Sequence, residues 1–164
     1  MIAVPFYAQL IRTTLRGSPF PDIERSVSII LGTAAQESGF QYTEQIGGGP
    51  ALGLLQVEPV TEASVWADYL AYHGDIADWF LTRCGRDAPN DAARQFDMVY
   101  GILLARTLYF WRDHDRLPPV TDIDTQATRY KMYYNTAGGE GSEQEFIENY
   151  QRLVSPYYPV PRRA

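Results

Sequence analysis

The chain has 164 residues, 45% of them hydrophobic and 21% charged, with a formal net charge of −6. That length suits a single domain around one core, and the acidic balance disfavours nonspecific nucleic-acid binding, which needs clustered Lys and Arg. The single cysteine, Cys84, excludes an intrachain disulfide and a zinc–cysteine site.

The first residues, MIAVPFYAQLIRTTLRG, lack the basic start, long apolar run and small-residue cleavage site of a signal peptide. No segment approaches the ~18 apolar residues of a membrane span. The expectation is a protein made in the cytoplasm without its own export signal and without stable membrane insertion. Val4 to Arg16 reads as a short helix with Pro5 in its first turn and Gly17 closing it. Ser18-Pro19-Phe20-Pro21 is a connector, and Asp22 is placed to cap a second helix running to about Ser38. Along it Ile23, Val27, Ile30 and Ala34 fall on one helical face. Glu37 extends that stripe. Burial there and the negative end of the helix dipole both disfavour a carboxylate, pushing its pKa toward the range of a general acid near neutral pH. The plainer alternative is a helix-end glutamate turned out to solvent.

Residues 41–58, with Gly47-Gly48-Gly49-Pro50, read as loop or a short extended hairpin, in which Leu52, Leu54 and Val57 could anchor one side of a cleft. A helix follows from about Val60 to Tyr72, offering Ala63, Trp66, Tyr69 and Leu70 for burial, and then another from Asp75 to Cys84 stopped by Gly85. Asn90 to His114 is the longest periodic segment. Its stripe of Ala93, Phe96, Tyr100, Leu103, Thr107 and Phe110 predicts one central, structural helix capped by Asn90 and ended before Pro118-Pro119. His73 and His114 sit at helix ends with no His or Cys partner at ligand spacing. Thr121 or Asp122 starts a helix to about Tyr134, broken by Gly138, Gly139 and Gly141. Ser142 with Glu145 forms a capping box for a last helix through Leu153, and Pro156 to Ala164 reads as an extended or frayed tail. The fold class is mostly α, with at most a small β-hairpin.

Two motifs carry a resemblance. Glu37-Ser38, followed by Gly39-Phe40, and Gly53-Leu54-Leu55-Gln56-Val57, followed by Pro59 and Thr61, resemble the first two motifs of the soluble lytic transglycosylases and goose-type lysozymes, within the lysozyme-like superfamily. Leu55 stands where that family has methionine. Tyr133-Tyr134-Asn135-Thr136-Ala137-Gly138 resembles the third motif, with Tyr133 in the place of its alanine and Thr136 interrupting the spacing. Asn149-Tyr150 is similar to the fourth, a tyrosine close to the catalytic glutamate. The motif-bearing region is about 22–154.

The resemblance implies one lysozyme-like catalytic domain over residues 1–164 with a long central helix, acting as a monomer on peptidoglycan glycan strands. It implies that Glu37 protonates the leaving oxygen of the MurNAc–GlcNAc β-1,4 bond and then, as base, takes a proton from the muramic acid 6-hydroxyl, closing a 1,6-anhydro ring. Gln56, Tyr134 and Asn135 would contact substrate, Ser38 would fix the glutamate or substrate, and Tyr150 would orient Glu37. No metal or organic cofactor is implied. Glu58 leaves a second outcome open. As a second acid it would activate water and make the chain a muramidase, and otherwise it favours the start of the next helix through the dipole. A noncatalytic peptidoglycan-binding virion module is the alternative from another class. The wording GPALGLLQVEP is similar to wall-degrading proteins of tailed phages. That likeness implies an endolysin or virion-associated enzyme brought to the periplasmic wall by lysis or injection machinery, with virion proteins as possible partners.

Overall fold

The computed structural model describes residues 2–114, 116–135, 139 and 141–158. Over these the chain is mostly helical and forms no strand. Helix α1 is Val4–Leu15 and α2 is Ile23–Glu37. Helix α3, Pro59–Ser64, continues through a π turn, Val65–Tyr69, and a 3-10 turn, Leu70–Tyr72. Helices α4, Gly74–Cys84, α5, Asp91–Phe96, and α6, Met98–Asp113, follow. Helix α7, Ile123–Arg129, and helix α8, Glu143–Asn149, each run into a π turn, Tyr130–Asn135 and Tyr150–Val154 respectively.

The caps follow local chemistry. Asp22, Asn90 and Asp122 accept hydrogen bonds from the backbone N–H three residues on, and Ser142 and Glu145 close a capping box. Each satisfies amides that the first helical turn leaves without partners.

Helix α2 is buried continuously from Ser26 to Ala35, so neighbours enclose it on all sides rather than along one stripe. Helix α1, α6 and α8 with its π turn pack around it. Gly32 makes the closest of these approaches possible, because a Cβ there would overlap the Phe146 ring and press on Tyr150. The core is a single cluster reaching from Val4 to Tyr158. No helix of the described residues is long and apolar enough to cross a membrane.

Three expectations need correction. The segment from Asn90 to His114 is two helices, because Asp97 leaves helical geometry (φ −96°, ψ 99°) and its side chain caps α6 by accepting from Tyr100 N at 3.1 Å. Phe96, before the break, is consequently 70% exposed rather than in the core. In α3 the buried face carries Glu62 and leaves Ala63 exposed, since Glu62 meets a buried guanidinium, that of Arg94 on α5. Asn90 N and the Tyr100 hydroxyl also donate to the Glu62 carboxylate, at 2.9 and 2.5 Å. Lastly, the chain after Val154 turns back onto the body. The Tyr158 hydroxyl donates to Glu24 at 2.7 Å and the Arg12 guanidinium lies over its ring. Thr136, Ala137 and Gly138 of the third motif, and the tail beyond Tyr158, lie outside the described residues.

Candidate functional site

A polar cleft of about 720 Å3 opens at the C-terminal end of α2, within the ~300–1,000 Å3 typical of ligand sites. Its walls are the segment from Gln45 to Thr61, the end of α6 at Leu108 and Arg112, and the π turn after α7. Glu37 is at its floor.

Glu37 occupies the last residue of α2, where the buried stripe of Val27, Ile30 and Ala34 reaches the cleft. Burial is the main cause that lifts its pKa from 4.5 to about 7. The negative charge of Glu58 adds to the rise, and a hydrogen bond donated by the Tyr130 hydroxyl to Oε1, at 2.7 Å, opposes it. The carboxyl is therefore held in place and can carry its proton near neutral pH.

The hydroxyl of Tyr130 in turn accepts from Asn135 Nδ2 at 2.7 Å. Residues five apart on a regular α-helix point about 140° away from each other, since each residue turns it by ~100°. The π turn from Tyr130 to Asn135, with its i→i+5 repeat, brings both onto the cleft side. The Oδ1 atom of Asn135 is buried there without a hydrogen-bond partner among the described residues. Such an atom costs stability unless something donates to it. Tyr134 also lines the cleft, but its hydroxyl donates to Leu55 O at 2.7 Å and its ring stacks between Tyr109 and Tyr130. It ties the π turn to the loop on the opposite wall.

That loop is compact. Leu52 and Val57 exchange backbone hydrogen bonds of 3.1 and 3.0 Å around the turn Gly53-Leu54-Leu55-Gln56. Gly53, at φ +80°, lies against the Arg94 carbonyl, where a Cβ would overlap it. Gln56, itself at φ +46°, is held by its own Nε2, which donates to Gly53 O at 2.7 Å, and its side chain lines the cleft. Leu52 and Leu54 face away, into a smaller apolar hollow behind the loop, leaving Val57 as the member of that trio in the cleft wall. Glu58 follows as the N-cap residue of α3. Its exposed side chain makes no capping hydrogen bond and faces the cleft.

Two of the expected site residues lie elsewhere. Tyr150 donates to Ser28 Oγ at 2.8 Å, while Ser28 donates to Gln126 Oε1 at 3.0 Å. Ser28 is nine residues before Glu37, about 13 Å along the helix axis. Tyr150 is thus a core residue against the middle of α2, and Tyr130 is the tyrosine at Glu37. Ser38 is 3% exposed, with Oγ donating to Ala34 O at 3.1 Å and accepting from Phe40 N at 3.2 Å. It terminates α2, and its hydroxyl bonds the backbone rather than the Glu37 carboxylate. The sequence reading also missed Tyr130 and Arg112 as cleft residues. The only available signal for Tyr130 was its place in a tyrosine-rich run ending at Asn135, and nothing in the sequence singled out Arg112.

No group of three or more His, Cys, Asp or Glu side chains that could hold a metal ion occurs among the described residues. Set against models of protein families, curated proteins and solved structures, the chain matches none of them.

Proposed function

We propose that this chain is a lysozyme-like enzyme that cleaves the β-1,4 bond of peptidoglycan glycan strands with Glu37 as general acid. One observation carries the reading: a half-buried carboxyl with its pKa raised to about 7, fixed by a tyrosine hydroxyl, at the floor of a cleft lined by amide and hydroxyl side chains. Glycosidic cleavage asks for that combination, since the leaving oxygen needs a proton before the anomeric carbon can take up positive charge. Gln56 and Asn135 are placed to hold N-acetyl and hydroxyl groups of the sugar.

In the lytic transglycosylase course, Glu37 gives its proton to the glycosidic oxygen as the C–O bond breaks. The carboxylate then receives the proton of the muramic acid 6-hydroxyl as that oxygen bonds to the anomeric carbon. The acid is regenerated and no water is consumed. A second course is favoured by Glu58, whose carboxylate shares the cleft with Glu37 and is not engaged in capping α3. There Glu58 takes a proton from water, which attacks the anomeric carbon and leaves a reducing end, as in a muramidase. In either course the partners are glycan strands, and the resemblance to phage wall-degrading proteins supports delivery by phage lysis or injection machinery.

Mass spectrometry of purified murein digested by the protein tests this. Fragments ending in 1,6-anhydromuramic acid establish the transglycosylase, and fragments heavier by one water establish the muramidase. The absence of soluble fragments, with binding retained, would leave a noncatalytic binding module.

A further inference from the structure

The cleft carries two acids, Glu37 and Glu58, and a single cation among the described residues, Arg112. Arg112 lies in the last turn of α6, one helical turn beyond Leu108, so both side chains present the same face to the cleft. Its Nη1 donates to Tyr133 O at 2.9 Å, which anchors one edge of the guanidinium to the π turn that holds Tyr130 and Asn135. No carboxylate lies within 4 Å of it among the described residues, whereas Arg12, Arg25, Arg86, Arg94 and Arg129 each have one. A guanidinium presents five donors, and its one hydrogen bond among the described residues leaves the rest of the fork available to a ligand. It is also partly buried, which penalises its charge and makes an entering anion a favourable partner.

The surroundings sharpen the point. The chain has a net charge of −6 and two carboxylates in the cleft, so Arg112 is the one cleft-lining side chain among the described residues whose charge attracts an acidic ligand. A neutral glycan offers that guanidinium no counter-charge. We infer that Arg112 is a specificity-determining residue that receives a carboxylate carried by the glycan, so that the cleft selects acidic β-1,4-linked amino-sugar strands over neutral ones. This rests on the proposed glycan-cleaving function. In peptidoglycan the carboxylate has two sources, the lactyl ether of a sugar stripped of its peptide and the acidic residues of an attached stem peptide. Planar, bidentate pairing suits either.

Binding separates this inference from catalysis. Calorimetry is run on the Glu37→Gln protein and on the same protein carrying Arg112→Gln or Arg112→Lys. The probes are soluble muramoyl glycan fragments that are peptide-bearing, peptide-free with free lactyl carboxylates, or peptide-free with those carboxylates amidated, together with a chitin oligosaccharide of equal length. The inference expects Glu37→Gln to bind at least one acidic probe about 10- to 100-fold more tightly than the amidated and chitin probes. Arg112→Gln should abolish that preference by weakening acidic binding to the neutral level, and Arg112→Lys should restore part of it. The acidic probe that shows the preference identifies the source of the carboxylate. Equal affinity for acidic and neutral probes, or a preference that survives Arg112→Gln in a variant with an unchanged near-UV circular dichroism spectrum, overturns the inference. Failure of the wild-type chain to cleave any of the strands counts against the cleavage reading alone.

Discussion

The hydrogen bond from Tyr130 to Glu37 has a sign that can be tested. Donation from a hydroxyl stabilises the ionised carboxylate, so Tyr130→Phe must raise the pKa of Glu37 above its native value of about 7. At 2.7 Å the bond is of the charge-assisted kind, for which about 1.5–3 kcal/mol is typical. With 1.36 kcal/mol per unit of pKa, the midpoint moves up by about one to two pH units. Glu58→Gln removes a like charge and must move it the other way. The direct assay is a 13C NMR titration of the glutamate side-chain carboxyls, which needs no substrate. The second is the pH dependence of kcat on a soluble glycan. Glu37 works as the protonated acid, so the descending, alkaline limb follows its pKa, upward in Tyr130→Phe and downward in Glu58→Gln. A Tyr130→Phe variant whose titration is unmoved, or moves downward, refutes the assignment of Tyr130 as the group that holds this carboxylate.

Other expectations follow from the same geometry. Glu37 holds its proton more tightly in the folded than in the unfolded chain, so it lowers stability progressively as pH rises from about 4.5 to about 7, by about 3 kcal/mol at most. Glu37→Gln should therefore flatten the fall of Tm across that window while removing nearly all cleavage, and an unchanged Tm–pH curve would argue against a raised pKa. Glu62→Gln should cost about 3–5 kcal/mol in chemical denaturation, because the buried Arg94 guanidinium loses its buried charged partner and keeps only the exposed Asp91. Gly32→Ala should destabilise by about 1–3 kcal/mol or prevent folding, since its methyl group overlaps the Phe146 ring, and a variant with native Tm would disprove the close packing of α2 on α8. In product analysis, Glu58→Gln should lower the rate by orders of magnitude if water is the attacking group, and only a few-fold otherwise.

What the sequence disclosed was local. The caps at Asp22, Asn90, Asp122 and Ser142 could be read because each is a side chain meeting a backbone amide three residues away. Glu37 could be read because it prolongs a stripe of its own helix. The break at Asp97 could not, since a polar residue inside an apolar repeat reads equally well as the solvent-facing side of one helix. Nor could Glu62, which makes sense in a core only beside Arg94, thirty-two residues further on. Tyr130 escaped for a different reason. Matching the fourth motif by its tyrosine pointed to Tyr150, whereas the partner of Glu37 is chosen by how α7 and α8 pack against α2. Tyr150 was drawn into the core by Ser28, and the tyrosine of the π turn took the place beside the acid.

The π turn that builds this wall bears on how such a site can arise in heredity. A π turn holds one residue more than the α-helical turn it replaces. Deleting a single codon within Tyr130–Asn135 would let α7 continue at regular pitch and swing Asn135 out of reach of Tyr130, while leaving the capped start of α7 at Asp122 untouched. Loss of one residue, like substitution of Tyr130 or Asn135 themselves, is thus a short mutational path by which this scaffold gives up the relay that steadies its acid.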